Sequence, residues 1–276
     1  DAWPLVLATQ DPDEIVRIVK AVAPNFGGIN LEDIAAPACF EIERRLVEEL
    51  DIPVMHDDQH GTAIVVLAGL INAAKVVEKS FKKLRVVVSG AGAAGTAVAK
   101  LLYAAGIKDI ILLDRVGTIY AGRVGLNEHK TMLAMLSNPR MVAGGLTEAM
   151  QDADVFVGVS GKGLLKAEHV VRMAPRGIVF ALANPDPEIL PDEAWQAGAE
   201  VVATGRSDFP NQINNALVFP GIFRGALDKG VKKITEATKL RAARALAALV
   251  KHPTAENIIP DLLDSRVVKA VASAVR

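Results

Sequence analysis

One cysteine, Cys39, is the whole thiol content of this 276-residue chain. A single cysteine excludes an internal disulfide and fits a reducing compartment, so a cytoplasmic setting is expected. Nor is there an excess of either charge, since 31 Lys and Arg stand against 32 Asp and Glu. So even a balance gives no electrostatic footprint for nucleic acid or an anionic membrane, and neither is expected as a partner. No apolar run reaches the length of a membrane span without a charge or a Gly/Pro break. The opening Asp1-Ala2-Trp3 is neither basic nor a long apolar stretch, so no secretory leader is expected, and the missing initiator Met points to a fragment or a processed chain. Internal repeats and low-complexity segments are also lacking. What is there is a chain that is 51% hydrophobic and long enough for one large domain or two.

Short β-rich runs alternate with longer helical ones, which predicts an α/β fold with a mostly parallel sheet. Leu5-Val6-Leu7 reads as a short strand. Asp11 is placed to cap a helix that has Pro12 at its first position, Glu14 at the capping-box position and an apolar stripe of Ile15, Ile18, Val19 and Val22. A further helix is expected over 37–50 and a strand over 52–55. Residues 63–77 are almost wholly apolar, so a helix there must be buried on every side. Strands are expected at 85–89, 110–113, 155–159, 178–182 and 201–203. The expected helices are 94–105, 126–136, 166–173, 192–197 and 215–227, with a helical C-terminus after them.

"VVVSGAGAAG" places Gly90, Gly92 and Gly95 in a G-x-G-x-x-G between a strand and a helix, with Asp114 closing the next strand 19 residues on. Gly90 permits the tight turn, Gly92 lets backbone approach a pyrophosphate, and Gly95 lets the helix pack close to the strand. The diphosphate would meet free N–H groups at the helix start, around Ala93 and Ala94. Asp114 would accept hydrogen bonds from the adenosine ribose, which favours NAD, whereas the adjacent Arg115 could pair with the 2′-phosphate of NADP. A glycine-rich turn without a ligand is the competing reading.

Carboxylates are paired twice, Glu32-Asp33 in "GGINLEDI" and Asp57-Asp58 in "MHDDQHGTA". Each pair follows a strand-like segment and so falls where open α/β sheets bind ligands. Carboxylates converging without a cation would repel each other, and Mg²⁺ or Mn²⁺ would relieve that. Ordinary helix capping explains them equally well. His56 and His60 have a four-residue spacing compatible with zinc, but no further His or Cys lies nearby in sequence.

Taken together, "FGGINLEDI", "IPVMHDDQHGTAIVVLAGLINA", "VVVSGAGAAG", "FALANPDPEI" and "TGRSDFPNQINNALVFPGIFRGALD" resemble the malic enzyme family, short prokaryotic type, in order along essentially the whole chain. The resemblance implies a doubly wound Rossmann-type parallel sheet plus the remaining part of an α/β substrate/metal domain. The expected division is 1–64 for the substrate and metal side, 65–230 for the NAD(P)-binding domain and 231–276 for a helical extension. Glu32, Asp33 and Asp58 match the ligands of a catalytic Mn²⁺ or Mg²⁺, and Asp57 matches the aspartate that pairs with a general-base lysine. Thr62, the Gly90–Gly95 loop and Ser160 match cofactor contacts. Asn184 and Asn215 match the asparagines that hold the malate carboxylate and the nicotinamide end.

The implied reaction is oxidative decarboxylation of L-malate to pyruvate and CO₂ with reduction of NAD or NADP, in a homodimer or higher homo-oligomer. The family's base lysine and acid tyrosine have no match in residues 1–276. Lys162, Tyr103 and Tyr120 do not carry the motifs, so this chain resembles the last two thirds of such an enzyme and is expected to turn over poorly alone. Malolactic decarboxylation to lactate, a non-catalytic NAD-binding module and a metal-free dehydrogenase are the alternatives.

Overall fold

A computed structural model describes all 276 residues. Near the N-terminus, α1 (Pro12–Val22) is capped by the Asp11 side chain, which accepts the Glu14 N–H at 2.9 Å. Strand β1 (Ile29–Leu31), helix α2 (Ala38–Glu49) and strand β2 (Val54–His56) follow. The two strands pair in parallel with Leu31 opposite His56, and Ile15, Val16, Val19, Ile42 and Leu46 bury their contact with α1 and α2. Leu5-Val6-Leu7 form no strand: Leu5 and Val6 are exposed, and no neighbouring strand offers their backbone a ladder.

Helix α3 (Asp57–Val76) is 20 residues long and begins six residues before its apolar run, so the acidic motif is its first turn. Its side chains are buried around the whole circumference, as an apolar helix requires. Buried Asn72 donates to the carbonyls of Ala247 and Ile258, both at 2.9 Å, and ties the C-terminal segment to this helix.

A six-stranded sheet is built from β3 (Arg85–Ser89), β4 (Asp109–Asp114), β5 (Gly117–Thr118), β6 (Val155–Gly158), β7 (Gly177–Ala181) and β8 (Ala199–Thr204), in the order β5-β4-β3-β6-β7-β8. All pairings are parallel except the short antiparallel β5. Val86, Val88, Ile110 and Leu112 face one core, and Val87, Ile111 and Leu113 face the other. Covering both faces is what makes these strands read as continuous apolar runs. This is a Rossmann-type doubly wound sheet, with the chain reversing direction across it between β3 and β6.

Helix α4 (Ala93–Ala104) packs beside α3, and α5 (Glu128–Leu136), α6 (Leu146–Ala149), α7 (Ala167–Val170) and α8 (Pro191–Gln196) complete the crossovers. The expected helix over 215–227 is a 3-10 turn, Asn215–Leu217, running into α9 (Phe219–Lys229). The last helices, α10 (Glu236–Ala247) and α11 (Arg266–Ala274), bury Ala242, Leu246, Val267 and Val271 in the same core as α3 and α4.

Candidate functional site

Because β1 and β2 end side by side, with Leu31 opposite His56, Glu32 and Asp57 are the next residues on neighbouring strand ends. Asp33 follows in the left-handed region (φ 56°), which Asp tolerates better than most residues, and its N–H donates to Asp58 Oδ2 at 2.8 Å. Asp57 and Asp58 open α3, where unpaired N–H groups and the helix dipole favour negative charge. A loop after β1 and the first turn of α3, distant in sequence, thus bring four carboxylates into one neighbourhood.

Burial, then the charges of Glu32 and Asp58, push the Asp57 carboxyl up to about 7, against the opposing hydrogen bond from Asn215. That bond runs from Asn215 Nδ2 to Asp57 Oδ2 at 2.6 Å. Asp57 Oδ1 is buried without a partner. Gly61 is obligatory one turn on, since a Cβ there would stand 1.8 Å from the same Oδ1. Glu32 is raised by partial burial and by Asp58. Asp58 is lowered, chiefly by His56 and then by the Asp33 N–H, against the effect of burial. The cluster is short of positive charge, which is the environment a cation relieves.

An all-oxygen donor set of Glu32, Asp33 and Asp58 suits a hard divalent cation. The three are not closed around one point, and Glu32 Oε2 instead accepts Asn30 Nδ2 at 3.0 Å. Glu32 and Asp33 are exposed, so both side chains are free to turn. The donor chemistry and the placement therefore fit such an ion.

Helix α3 leads through a short connection into the start of β3, so its own beginning lies at the opposite, C-terminal edge of the sheet. The glycine loop sits at that edge. Gly90 adopts φ +115°, and a Cβ on Gly95 would stand 1.7 Å from the Gly90 carbonyl oxygen. Nothing lies within 4 Å of a Cβ on Gly92, which is exposed. The free N–H groups of Ala93 and Ala94 open α4 there. Thr62 is half-buried in α3, and Asn184 is exposed after β7.

Ser160 Oγ lies 3.1 Å from Ser89 Oγ, and the Ser160 N–H donates to Glu188 Oε1 at 3.0 Å. The other oxygen of Glu188 accepts the Ala183 N–H at 3.1 Å. Fully buried Glu188 therefore clamps the loops after β6 and β7 together. Asp114, at the end of β4, is saturated. Its carboxylate accepts from the Val116 and Gly117 N–H groups, from Lys130 Nζ at 2.6 Å and from both terminal nitrogens of Arg123. Burial opposes ionisation there, but Arg123 and Lys130 hold the group far below the usual carboxylate range. Arg115 is exposed and makes no ion pair.

A family model described as the malic enzyme NAD-binding domain matches residues 59–276, and one described as the malic enzyme N-terminal domain matches residues 7–47. The chain belongs to the malic enzyme family. An NAD-dependent malic enzyme of Geobacillus stearothermophilus is 54% identical, with 100% of this chain and 58% of the relative covered. A bifunctional malic/malolactic enzyme of Bacillus subtilis is also 54% identical, with 100% of this chain and 68% of the relative covered. The malic enzyme structure from Pyrococcus horikoshii superposes with a TM-score of 0.94 at 48% identity, covering 99% of this chain and 66% of that one. The NAD-dependent malic enzyme from Thermotoga maritima gives 0.96 at 47% identity, covering 100% and 73%. The chain thus spans only part of the length of the malic enzymes it matches.

Within this family frame, the fold unites Glu32, Asp33, Asp57, Asp58 and Asn215, and it sets the glycine loop, Ser160 and Asn184 along one sheet edge. Glu43, which carries part of the hydrogen bonding around the motif, and Glu188, Arg123 and Lys130 are site residues that the sequence does not mark. A lone Glu in "NPDPEI" and a basic residue in a polar loop carry no local signal of burial or pairing.

Proposed function

We propose that this chain supplies the cofactor and metal side of an NAD(P)-dependent malic enzyme that converts L-malate to pyruvate and CO₂. The observation that carries the reading is the cation-deficient carboxylate cluster at the start of α3, on the same sheet edge as the Gly90–Gly95 loop. In this reading residues 1–64 form the metal side and 65–230 the cofactor domain, while 231–276 are a helical extension sharing its core. A homodimer or higher homo-oligomer in the cytoplasm is the proposed setting.

Glu32, Asp33 and Asp58 would hold Mn²⁺ or Mg²⁺, which supplies electrostatic stabilisation for charge developing on substrate oxygen. Thr62, Gly90, Gly92, Ala93, Ala94, Gly95 and Ser160 would hold the NAD or NADP that supplies the hydride acceptor. Asp57 presents an unpartnered buried oxygen, suited to orienting an amine, and the resemblance implies that a lysine there serves as the general base. Asn215 fixes the other oxygen of Asp57, leaving one face of the carboxylate for that partner. Asn184 and Asn215 would meet the malate carboxylate and the nicotinamide end. A free acceptor for the ribose favours NAD, but the saturation of Asp114 by Arg123 and Lys130 removes that argument, and Arg115 stands open to a 2′-phosphate.

The name of the Bacillus subtilis relative favours one second reading, malolactic conversion of malate to lactate. Calorimetric titration with NAD and NADP, followed by a malate assay with product analysis, tests both. Binding of at least one dinucleotide and slow turnover by residues 1–276 alone are expected. Pyruvate supports the first reading and lactate the second. Failure to bind either dinucleotide contradicts both, and rapid malate-dependent reduction contradicts the view that proton transfer needs residues outside 1–276.

A further inference from the structure

The two histidines that flank the aspartate pair have no part in the scheme above, yet His56 is fully buried against it. His56 Nδ1 lies 3.0 Å from Gln59 Nε2. The same amide nitrogen lies 3.1 Å from Glu43 Oε2, which also lies 2.9 Å from His60 Nε2. Glu43 Oε1 accepts the His56 backbone N–H at 2.8 Å.

Burial would raise the Glu43 carboxyl, but His60 and the His56 N–H outweigh it and hold Glu43 below the usual carboxylate range. An ionised carboxylate only accepts, so the Gln59 atom facing it is the NH₂ group. That amide has two hydrogens. One goes to Glu43 and the other to His56, which makes Nδ1 an acceptor and puts the imidazole proton on Nε2. Nε2 is buried with no aligned partner, and Asp58 Oδ2 lies 3.1 Å from it. Hydrogen bonds at such sites are commonly loose before a ligand is bound.

We infer that His56 is a positioning residue for Asp58. The Glu43–Gln59 pair locks it in the Nε2–H form, which sets that one donor beside the carboxylate proposed to hold the cation. The inference rests on the metal reading given under Proposed function. Imidazoles and carboxylates that orient a ligand in this way are typically worth about 10–100-fold in metal affinity. The network also accounts for the composition of the motif. Gln59 sets the tautomer, and His60 hydrogen-bonds to the Glu43 oxygen that Gln59 shares.

Two measurements test this. The first is ¹⁵N NMR of the chain labelled at its five histidines, assigned by comparison with His56→Leu. A single Nε2–H tautomer for His56 supports the inference, and an Nδ1–H form or a mixture overturns it. The second is Mn²⁺ titration by electron paramagnetic resonance, with dinucleotide binding as the control for folding. His56→Leu, which keeps bulk without a donor, should weaken Mn²⁺ binding by about tenfold or more while leaving the dinucleotide constant unchanged. His56→Gln, which returns an N–H near the Nε2 position, should recover most of the loss. Equal Mn²⁺ affinity in wild type and His56→Leu overturns the inference, as does a parallel loss of dinucleotide binding that His56→Gln does not repair. If the unsubstituted chain binds no Mn²⁺, the metal reading itself fails and Asp58 has no cation to be positioned for. The NMR result then judges the tautomer assignment by itself.

Discussion

Replacing Glu188 by Gln changes one atom in a fully buried side chain, and the structure gives that change a definite cost. Each carboxylate oxygen accepts one backbone N–H, from Ser160 at 3.0 Å and from Ala183 at 3.1 Å. Gln offers a single acceptor, so one donor is left facing an NH₂ group. An orphaned buried donor costs about 1–3 kcal/mol. The side chain has no room to turn away, since Gly158 lies so close that a Cβ there would stand 2.3 Å from Glu188 Cδ. Against the cost stands the relief of a buried charge, because burial raises the Glu188 carboxyl despite its two N–H donors.

The pH dependence follows from that direction. A carboxyl raised in the folded state contributes stability that is fully present below its unfolded value, about 4.3, and is lost as pH rises through the folded value. The gap between wild type and Glu188→Gln should therefore be widest near pH 4.5 and narrow toward pH 8. Thermal unfolding reads it at about 2–4 °C per kcal/mol in a chain of this size. Dinucleotide affinity should fall together with it, since the clamped loops carry Ser160 and Asn184. Equal melting temperatures at pH 4.5 for the two proteins would refute the clamp.

Gly95→Ala should destabilise the fold severely, because its Cβ would meet a backbone oxygen, while Gly92→Ala, with open space around it, should unfold like wild type and lose dinucleotide affinity. Urea unfolding and calorimetry of the two variants check this contrast. Arg123→Met strips Asp114 of its bidentate partner but leaves it Lys130 and two backbone N–H groups, so the cost should be that of charge-assisted hydrogen bonds, about 1.5–3 kcal/mol. Asp114 is depressed in the folded state, so its contribution is present above its unfolded value of about 3.9 and is lost as pH falls below that. The acid limb of wild-type stability should thus be steeper than that of Arg123→Met in urea titrations between pH 5 and pH 2.

Period and punctuation made most of the sheet legible. The five long strands of the Rossmann-type sheet are continuous apolar runs because both of its faces are covered, and Gly90–Gly95 announces the turn between β3 and α4. Leu5–Leu7 failed because local apolar character says nothing about whether a neighbouring strand exists. Helix α3 was expected too late in the chain, since apolar periodicity cannot see a first turn made of Asp57, Asp58, Gln59 and His60 whose place is fixed by tertiary contacts. The carboxylates were visible as pairs, but their meeting depends on the β1–β2 register, which no spacing encodes. Asn215 reaches Asp57 across 158 residues, and Arg123 reaches Asp114 from a polar loop. Both contacts come from folding back of the chain; the family resemblance marked Asn215 and Asp57 singly and did not join them.

Direct titration of Mn²⁺ into the chain, by electron paramagnetic resonance, tests whether Glu32, Asp33 and Asp58 share one divalent cation. One site per chain is expected, abolished alike by Glu32→Gln, Asp33→Asn and Asp58→Asn, with dinucleotide binding intact in all three. Binding that survives the loss of any one of these carboxylates, or no binding at all, would contradict it.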